Sequence, residues 1–258
     1  MSTVAVIPAR MAATRFPDKP LADLHGLPML MHCYFRTRLA QQVDEVVIAT
    51  CDDVIAETAR RYGARVVMTA DTHLNAVDRT AEAVALLTAD ATARIDVVVL
   101  VQGDEPLLDP RTLDLLIETL TADPGIDVVN IMVPFTTRED FLDHNNPKVV
   151  TDARGDAVYM SREPIPSPWK QWDAGNSYMQ TGLFAFRPDA LAWFAATPRT
   201  DLEAAESIDM LRLVYHGRPL RMLAVPEPSI GVDTPDDLRR AAELLLTDPY
   251  FPSYRDQR

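Results

Sequence analysis

Four Val/Ile/Leu-rich runs break up the first half of the chain: residues 4–8 (VAVIP), 45–50 (EVVIAT), 65–68 (RVVM) and 96–101 (DVVVLV). None alternates apolar with polar residues. A strand covered on both faces has no reason to alternate, so these runs predict strands of a parallel sheet. Helical periodicity fills the intervals. After Pro110, the residues Leu113, Leu116, Ile117 and Leu120 fall at i, i+3, i+4 and i+7, which is one face of a helix. Strand–helix–strand alternation predicts an α/β fold with a doubly wound sheet and ligands at the carboxyl ends of its strands.

The rhythm changes near Pro134. Residues 148–160 (KVVTDARGDAVYM) read as a hairpin turning around Arg154-Gly155-Asp156. Three prolines and two tryptophans between 164 and 175 predict an irregular loop. A strand is expected over 181–187, a helix over 202–215 and a strand over 220–225. A last helix carries Leu238, Ala241, Ala242 and Leu245 on one face, and the tail from 248 shows no periodicity. The organisation predicted is one domain, 1–258, with an inserted subregion at about 135–194.

Composition narrows the function. A chain of 258 residues that is 47% hydrophobic can bury a sizeable core. A net charge of -13 argues against a non-specific grip on nucleic acid. Two cysteines make no disulfide framework. With no signal-like leader and no long apolar span, a cytoplasmic enzyme without a membrane partner is expected.

Three segments could carry chemistry. Residues 7–21 (IPARMAATRFPDKPL) leave a strand at Pro8 and place Arg10, Arg15 and Lys19 on the loop beyond it. Three cations there can surround a triphosphate, although a solvated basic loop would look the same. Neither GxGxxG nor GxxxxGK[ST] occurs, which disfavours a dehydrogenase or a P-loop enzyme. Residues 97–106 (VVVLVQGDEP) end a strand in a turn with Gln102, Asp104 and Glu105. Carboxylates so placed suit Mg²⁺, which takes few protein ligands and draws other oxygens from phosphates. Asp109, just before Pro110, is the better helix cap, which leaves Asp104 for metal. The third segment, Val232-Asp233-Thr234-Pro235, is by itself a capped helix start. It becomes a candidate ligand site only beside the other two. The five histidines show no metal-ligand spacing.

Taken together, IPAR-x4-R-x3-KPL, VQGDEP and VDTP-x-DL resemble the CMP-Kdo synthetases (3-deoxy-manno-octulosonate cytidylyltransferases) and, more distantly, the acylneuraminate cytidylyltransferases. The similarity runs from Val4 to about Leu246. It implies a three-layer, Rossmann-like nucleotide-diphospho-sugar-transferase fold, with a small β-hairpin insertion for dimerisation and hence a homodimer. It implies CTP as substrate, with Pro8, Ala9, Arg10, Arg15 and Lys19 on the triphosphate side and Arg10 and Lys19 stabilising charge on the leaving pyrophosphate. Asp104 and Asp233 would hold Mg²⁺, and Gln102 would contact substrate beside it. Arg79, in HLNAVDR, matches an arginine near the cytosine. On the side of an acidic small-molecule acceptor it implies Arg162, Gln180, Glu206 and the Asp209-Met210 pair.

The departures concern the acceptor more than the nucleotide. A Ser-Gly-Thr-Glu-Arg run is replaced by Asn75-Ala76-Val77-Asp78-Arg79, a His-Leu-Gly motif by Gln180-Thr181-Gly182, and an aromatic hydroxyl by Phe184. A Glu-Gln pair that reads sugar hydroxyls becomes Asp209-Met210, and Met cannot donate as Gln does. On a continuous helix, Glu206, Asp209 and Met210 would share a face, with Met210 presenting an apolar surface. This pattern raises an alternative acceptor, a small phosphonate such as phosphonoformate. A nucleotidyltransferase of other base preference, a nucleotide-binding regulator without turnover and a structural interaction protein are the remaining rivals.

Overall fold

The computed structural model describes residues 1–11, 16–89, 94–226 and 229–257. The chain forms two compact units, Met1–Leu115 with Ser229–Arg258, and Leu116–Pro228. The subregion expected at 135–194 falls inside the second.

The first unit opens with β1 (Thr3–Ala9), followed by a two-strand turn of β2 (Asp23–Leu24) and β3 (Leu27–Pro28). Then come α1 (Met29–Thr37), β4 (Glu45–Thr50), α2 (Asp53–Arg61), β5 (Arg65–Met68), α3 (Ala76–Leu87), β6 (Val97–Leu100) and the start of α4 (Pro110–Ala122). The four long strands lie in the order β6-β1-β4-β5, all parallel. The predicted strands and their direction are therefore found. Val6, Ile7, Val47, Ile48, Val98 and Val99 are each 0% exposed. At about 1.5–3 kcal/mol per buried side chain, these runs hold the unit together. The end strand β5 departs from the expectation, because Arg65 and Met68 are exposed.

Strand order also positions the site. β1 and β6 are neighbours, yet the chain leaves β1 toward β4 on the other side. Adjacent carboxyl ends that open this way leave a crevice for ligand. Gly103, just after β6, lets the two ends approach closely. A Cβ there would lie 3.1 Å from Leu30 Cδ1 and 3.2 Å from the Pro8 carbonyl oxygen.

The second unit contains β7 (Val128–Pro134), α5 (Arg138–Leu142), β8 (Lys148–Thr151), β9 (Ala157–Ser161) and β10 (Tyr178–Phe186). It continues with α6 (Pro188–Ala196), α7 (Asp201–Glu206), α8 (Leu211–Tyr215) and β11 (Arg221–Ala224). β7 pairs with β11 in parallel and with β10 antiparallel; β8 joins β10 and forms the predicted hairpin with β9. β7 is an addition to the predicted strands.

The single helix expected over 202–215 is two. α7 stops at Ser207, whose φ is 55°, and α8 starts at Leu211. The cause is a buried ion pair: Arg212 donates to Glu203 Oε1 at 2.6 Å and to Oε2 at 2.9 Å. Nine residues along one straight helix would put these side chains on opposite faces. The break lets them meet, and a buried charge without its partner would be costly.

The chain then returns to the first unit with α9 (Pro235–Leu245) and α10 (Phe251–Tyr254). The aperiodic tail is packed down. Phe35 stacks on Tyr254 at 5.8 Å, and Arg36 pairs with Asp248 at 2.7 Å.

Candidate active site

A cavity of about 350 Å³ in the first unit opens where β1 and β6 end. Pro8, Ala9 and Arg10 line it from β1, and Gln102, Gly103 and Asp104 from β6. The loop gives Phe16, Lys19 and Pro20; the segment before α3 gives His73, Leu74, Asn75 and Ala76, with Arg79 one turn on; Asp233 completes it. Arg15 lies outside the described residues.

Lys19 is the centre of this arrangement. Its Nζ donates to Asp104 Oδ2 at 2.7 Å and to Asp233 Oδ1 at 3.1 Å. Burial alone would push its ammonium down, but Asp104 first and Asp233 second outweigh that and hold it above the ordinary lysine range. Backbone structure brings the carboxylates together. The Val232 amide donates to the Asp104 carbonyl at 2.9 Å. Val232 is itself buried with Leu24, Met29, Ala241 and Leu245, and Phe16 and Leu238 pack against that cluster. One small core thus anchors the Lys19 loop and the Asp233 turn. Thr234 caps α9 in a capping box with Asp237, so the capped helix start and the site residue coexist in one motif.

Beyond Asp104, the half-buried Glu105 has its carboxyl pushed up to about 7, by burial first and by the Asp104 charge second. Asp109 accepts the Arg111 amide at 2.9 Å at the start of α4, in the capping role expected. Arg10 is exposed at the cavity edge, and the Met11 amide that follows is tied to Asp52 at 2.8 Å. Arg79 is buried, donating to Thr69 Oγ1 at 2.5 Å and to the Ala70 carbonyl at 3.2 Å. Asn75 caps α3: its Oδ1 accepts the Asp78 amide at 2.8 Å and its Nδ2 donates to Asp78 Oδ2 at 2.9 Å. That capping is open to Ser and Asn alike, which accounts for Asn in the departing run.

The structure therefore brings together Pro8, Ala9, Arg10, Lys19, Arg79, Gln102, Asp104 and Asp233. It adds Phe16 and His73, which no spacing in the sequence marks. His73 Nε2 is hydrogen-bonded to Glu82, whose carboxylate also accepts the Ala70 amide at 2.8 Å.

The expected acceptor residues lie in the second unit. Glu206 accepts from Tyr159 Oη at 3.0 Å, Ser161 Oγ at 2.8 Å and the Arg162 amide at 2.9 Å. Burial would raise its carboxyl, but these bonds hold it below the usual range. The Arg162 guanidinium donates to the carbonyls of Glu206, His144, Asn145 and Ser207. Gln180 Nε2 donates to the Thr181 carbonyl at 2.9 Å. The shared helical face of Glu206, Asp209 and Met210 does not form, because the helix breaks between them. Met210 is 1% exposed and presents no surface to a ligand. Phe184, at 5%, is likewise core.

Among the described residues no group of three or more His, Cys, Asp or Glu could hold a metal ion, and no helix is long and apolar enough to cross a membrane.

The family model described as Cytidylyltransferase matches residues 4–222. The 3-deoxy-manno-octulosonate cytidylyltransferase of Geobacter metallireducens is 42% identical over 255 residues, covering 95% of this chain and 98% of its own. That of Geobacter sulfurreducens is also 42% identical over 255 residues, covering 95% of this chain and 100% of its own. A solved structure of CMP:2-keto-3-deoxy-manno-octonic acid synthetase complexed with CTP matches with a TM-score of 0.86 at 32% identity, over 96% of this chain and 99% of that one. With this similarity spanning nearly every residue, and with the three predicted motifs converging on one cavity, the chain belongs to the cytidylyltransferase family, alongside the 3-deoxy-manno-octulosonate cytidylyltransferases.

Proposed function

We propose that this chain transfers CMP from CTP to 3-deoxy-manno-octulosonate, releasing pyrophosphate. The observation that carries the reading is the Lys19 ammonium held between Asp104 and Asp233 in a cavity at the β1 and β6 ends. An acceptor hydroxyl oxygen forms the new bond to the α-phosphorus, the bond from that phosphorus to the oxygen bridging to the β-phosphate breaks so that this oxygen leaves with pyrophosphate, and the hydroxyl proton passes to solvent. Charge builds on the departing pyrophosphate, and Arg10 and Lys19 are the cations at hand to stabilise it. The cavity walls position the nucleotide, and positioning together with charge stabilisation is the main contribution of the protein in such transfers.

The residues present fit a magnesium ion. Asp104 and Asp233 are hard oxygen donors already gathered around one positive charge, and Mg²⁺ requires only one or two protein carboxylates when phosphates supply other oxygens. When bound there, it would neutralise phosphate charge during displacement. Lys19, which donates to the same two carboxylates, would offer its ammonium to a phosphate oxygen.

The acceptor assignment follows the relatives' names and their near full-length similarity. Two of the departures that raise a phosphonate acceptor, Met210 and Phe184, are core side chains. Arg162, Gln180, Glu206 and Asp209 are assigned to the acceptor by resemblance. We also read the active form as a homodimer joined through 135–194. The deciding experiment is pyrophosphate release with CTP and magnesium, with and without 3-deoxy-manno-octulosonate. Release that depends on the sugar acid is expected; none with it, or equal release with phosphonoformate in its place, overturns the reading.

A further inference from the structure

The wall of the cavity formed by residues 73–76 differs in chemistry from the rest. Elsewhere around it stand Lys19 and Arg10, cations that suit phosphates, with the carboxylates of Asp104 and Asp233 beside Lys19. Here stand Leu74 and Ala76, which are apolar, and Asn75, which is bonded to Asp78 through both side-chain polar atoms. Arg79 behind them donates to Thr69 and Ala70. Such a wall suits the uncharged part of a nucleotide, its base.

His73 is the remaining polar side chain of that stretch. Its ring lines the cavity with 18% of the side chain exposed. Its Nε2 is bonded to Glu82, and Nδ1 has no partner among the described residues. A carboxylate can only accept, so Nε2 carries the proton and a neutral ring presents Nδ1 as an acceptor. Glu82 is itself fixed by the Ala70 amide at 2.8 Å. Burial would raise its carboxyl, but His73 and the Ala70 amide outweigh it and keep it below the usual range, an ionised partner for the ring.

We propose that His73, oriented by Glu82, is a base-specificity residue: its Nδ1 accepts a hydrogen bond from the exocyclic amino group of the bound pyrimidine. Cytosine carries that donor. Uracil carries a carbonyl oxygen at the same position, which would set lone pair against lone pair. A polar group poised for a donor rejects the analogue lacking it far more strongly than shape does, because the site group is left unpaired. Glu82 acts through His73 and is a positioning residue.

The inference rests on the CTP reading, and the test separates the two. Steady-state kcat/KM for CTP and for UTP is measured with the sugar-acid acceptor on the full chain and on the variants His73→Ala, His73→Phe, Glu82→Ala and Glu82→Gln. Thermal melts and circular dichroism serve as folding controls. His73→Phe keeps a ring in the wall without an acceptor, so it remains informative if the alanine variant folds poorly. The CTP-to-UTP ratio should fall about tenfold or more in both His73 variants and in Glu82→Ala, chiefly by loss on CTP. Glu82→Gln still accepts from Nε2 and should retain most of the discrimination. Equal losses on both nucleotides, or an unchanged ratio in His73→Phe, would overturn the proposal and leave the CTP reading standing. A wild-type chain that does not turn over CTP would overturn both.

Discussion

Lys19 shows how a single side chain can be committed to a task before any substrate arrives. It is mostly buried, and a half-desolvated ammonium is stable only because two carboxylates face it. The two are not equivalent. Asp104 is nearer, at 2.7 Å, and 33% exposed, whereas Asp233 stands at 3.1 Å and is 57% exposed, so solvent screens it more. Asp104→Asn should therefore lower the melting temperature more than Asp233→Asn, since it removes the better-shielded partner. Both should lower CTP-dependent pyrophosphate release by about 10²-fold or more while circular dichroism stays native, because a neutral amide is a weaker partner than a carboxylate for Lys19 and for a divalent cation. Release within a few-fold of wild type at limiting magnesium would refute either residue's assignment. The motifs holding these residues were legible in the sequence as separate segments. The sharing of one ammonium was not, because it joins positions 85 and 214 residues apart. His73 was invisible for a related reason: its partner Glu82 lies on the helix that follows, and isolated histidines carry no pattern.

Elements fared according to how local their cause was. Runs 45–50 and 65–68 became β4 and β5 with the predicted bounds, because apolar runs form strands from their own composition. The helix over 202–215 failed because the Glu203–Arg212 pair, a non-local demand, outweighed continuous periodicity. α1 and the tail are the other non-local case. All nine residues of α1 are buried, including His32. His32 Nε2 faces the Leu24 carbonyl at 2.7 Å and Nδ1 the Tyr254 hydroxyl at 3.2 Å, with Arg36, His25 and Asp23 nearby. Burial chiefly, helped by the Arg36 and His25 charges and opposed by Leu24 and Asp23, pushes its pKa down to about 4. The unfolded chain binds this proton below about pH 6.5, the folded chain only below about 4. Unfolding takes up a proton in that window, so this residue makes the fold weaker as pH falls from 6.5 to 4, by about 3 kcal/mol in full. Denaturant titrations at pH 7.5 and 4.5 check it. His32→Phe should lower stability at pH 7.5, where its two hydrogen bonds are lost, yet show a clearly shallower decline toward pH 4.5. Parallel declines would remove His32 as a source of the acid sensitivity.

At the scale of the whole molecule, exposed apolar groups of the second unit bear on assembly. The 135–194 stretch combines a small hairpin, β8–β9, with a proline-rich loop, and each displays an apolar side chain to solvent. Val158 on β9 is 55% exposed and Trp169 in the loop 88%. Trp172, by contrast, is held inward, its ring 6.3 Å from that of Phe141. The loop is thus anchored at one tryptophan and offers the other. An exposed Trp is costly to leave in water, and aromatic anchors of this kind dominate interfaces once buried. A second copy of the chain is the occupant that the resemblance implies. Sedimentation or light scattering at micromolar concentration should therefore report a dimer, and Trp169→Glu should weaken self-association about tenfold or more without altering the melting behaviour of the isolated chain. The rival use of the same loop is as a lid over the acceptor. A lid predicts the opposite pattern: a monomer at every concentration, with Trp169→Glu raising KM for the sugar acid while leaving that for CTP unchanged.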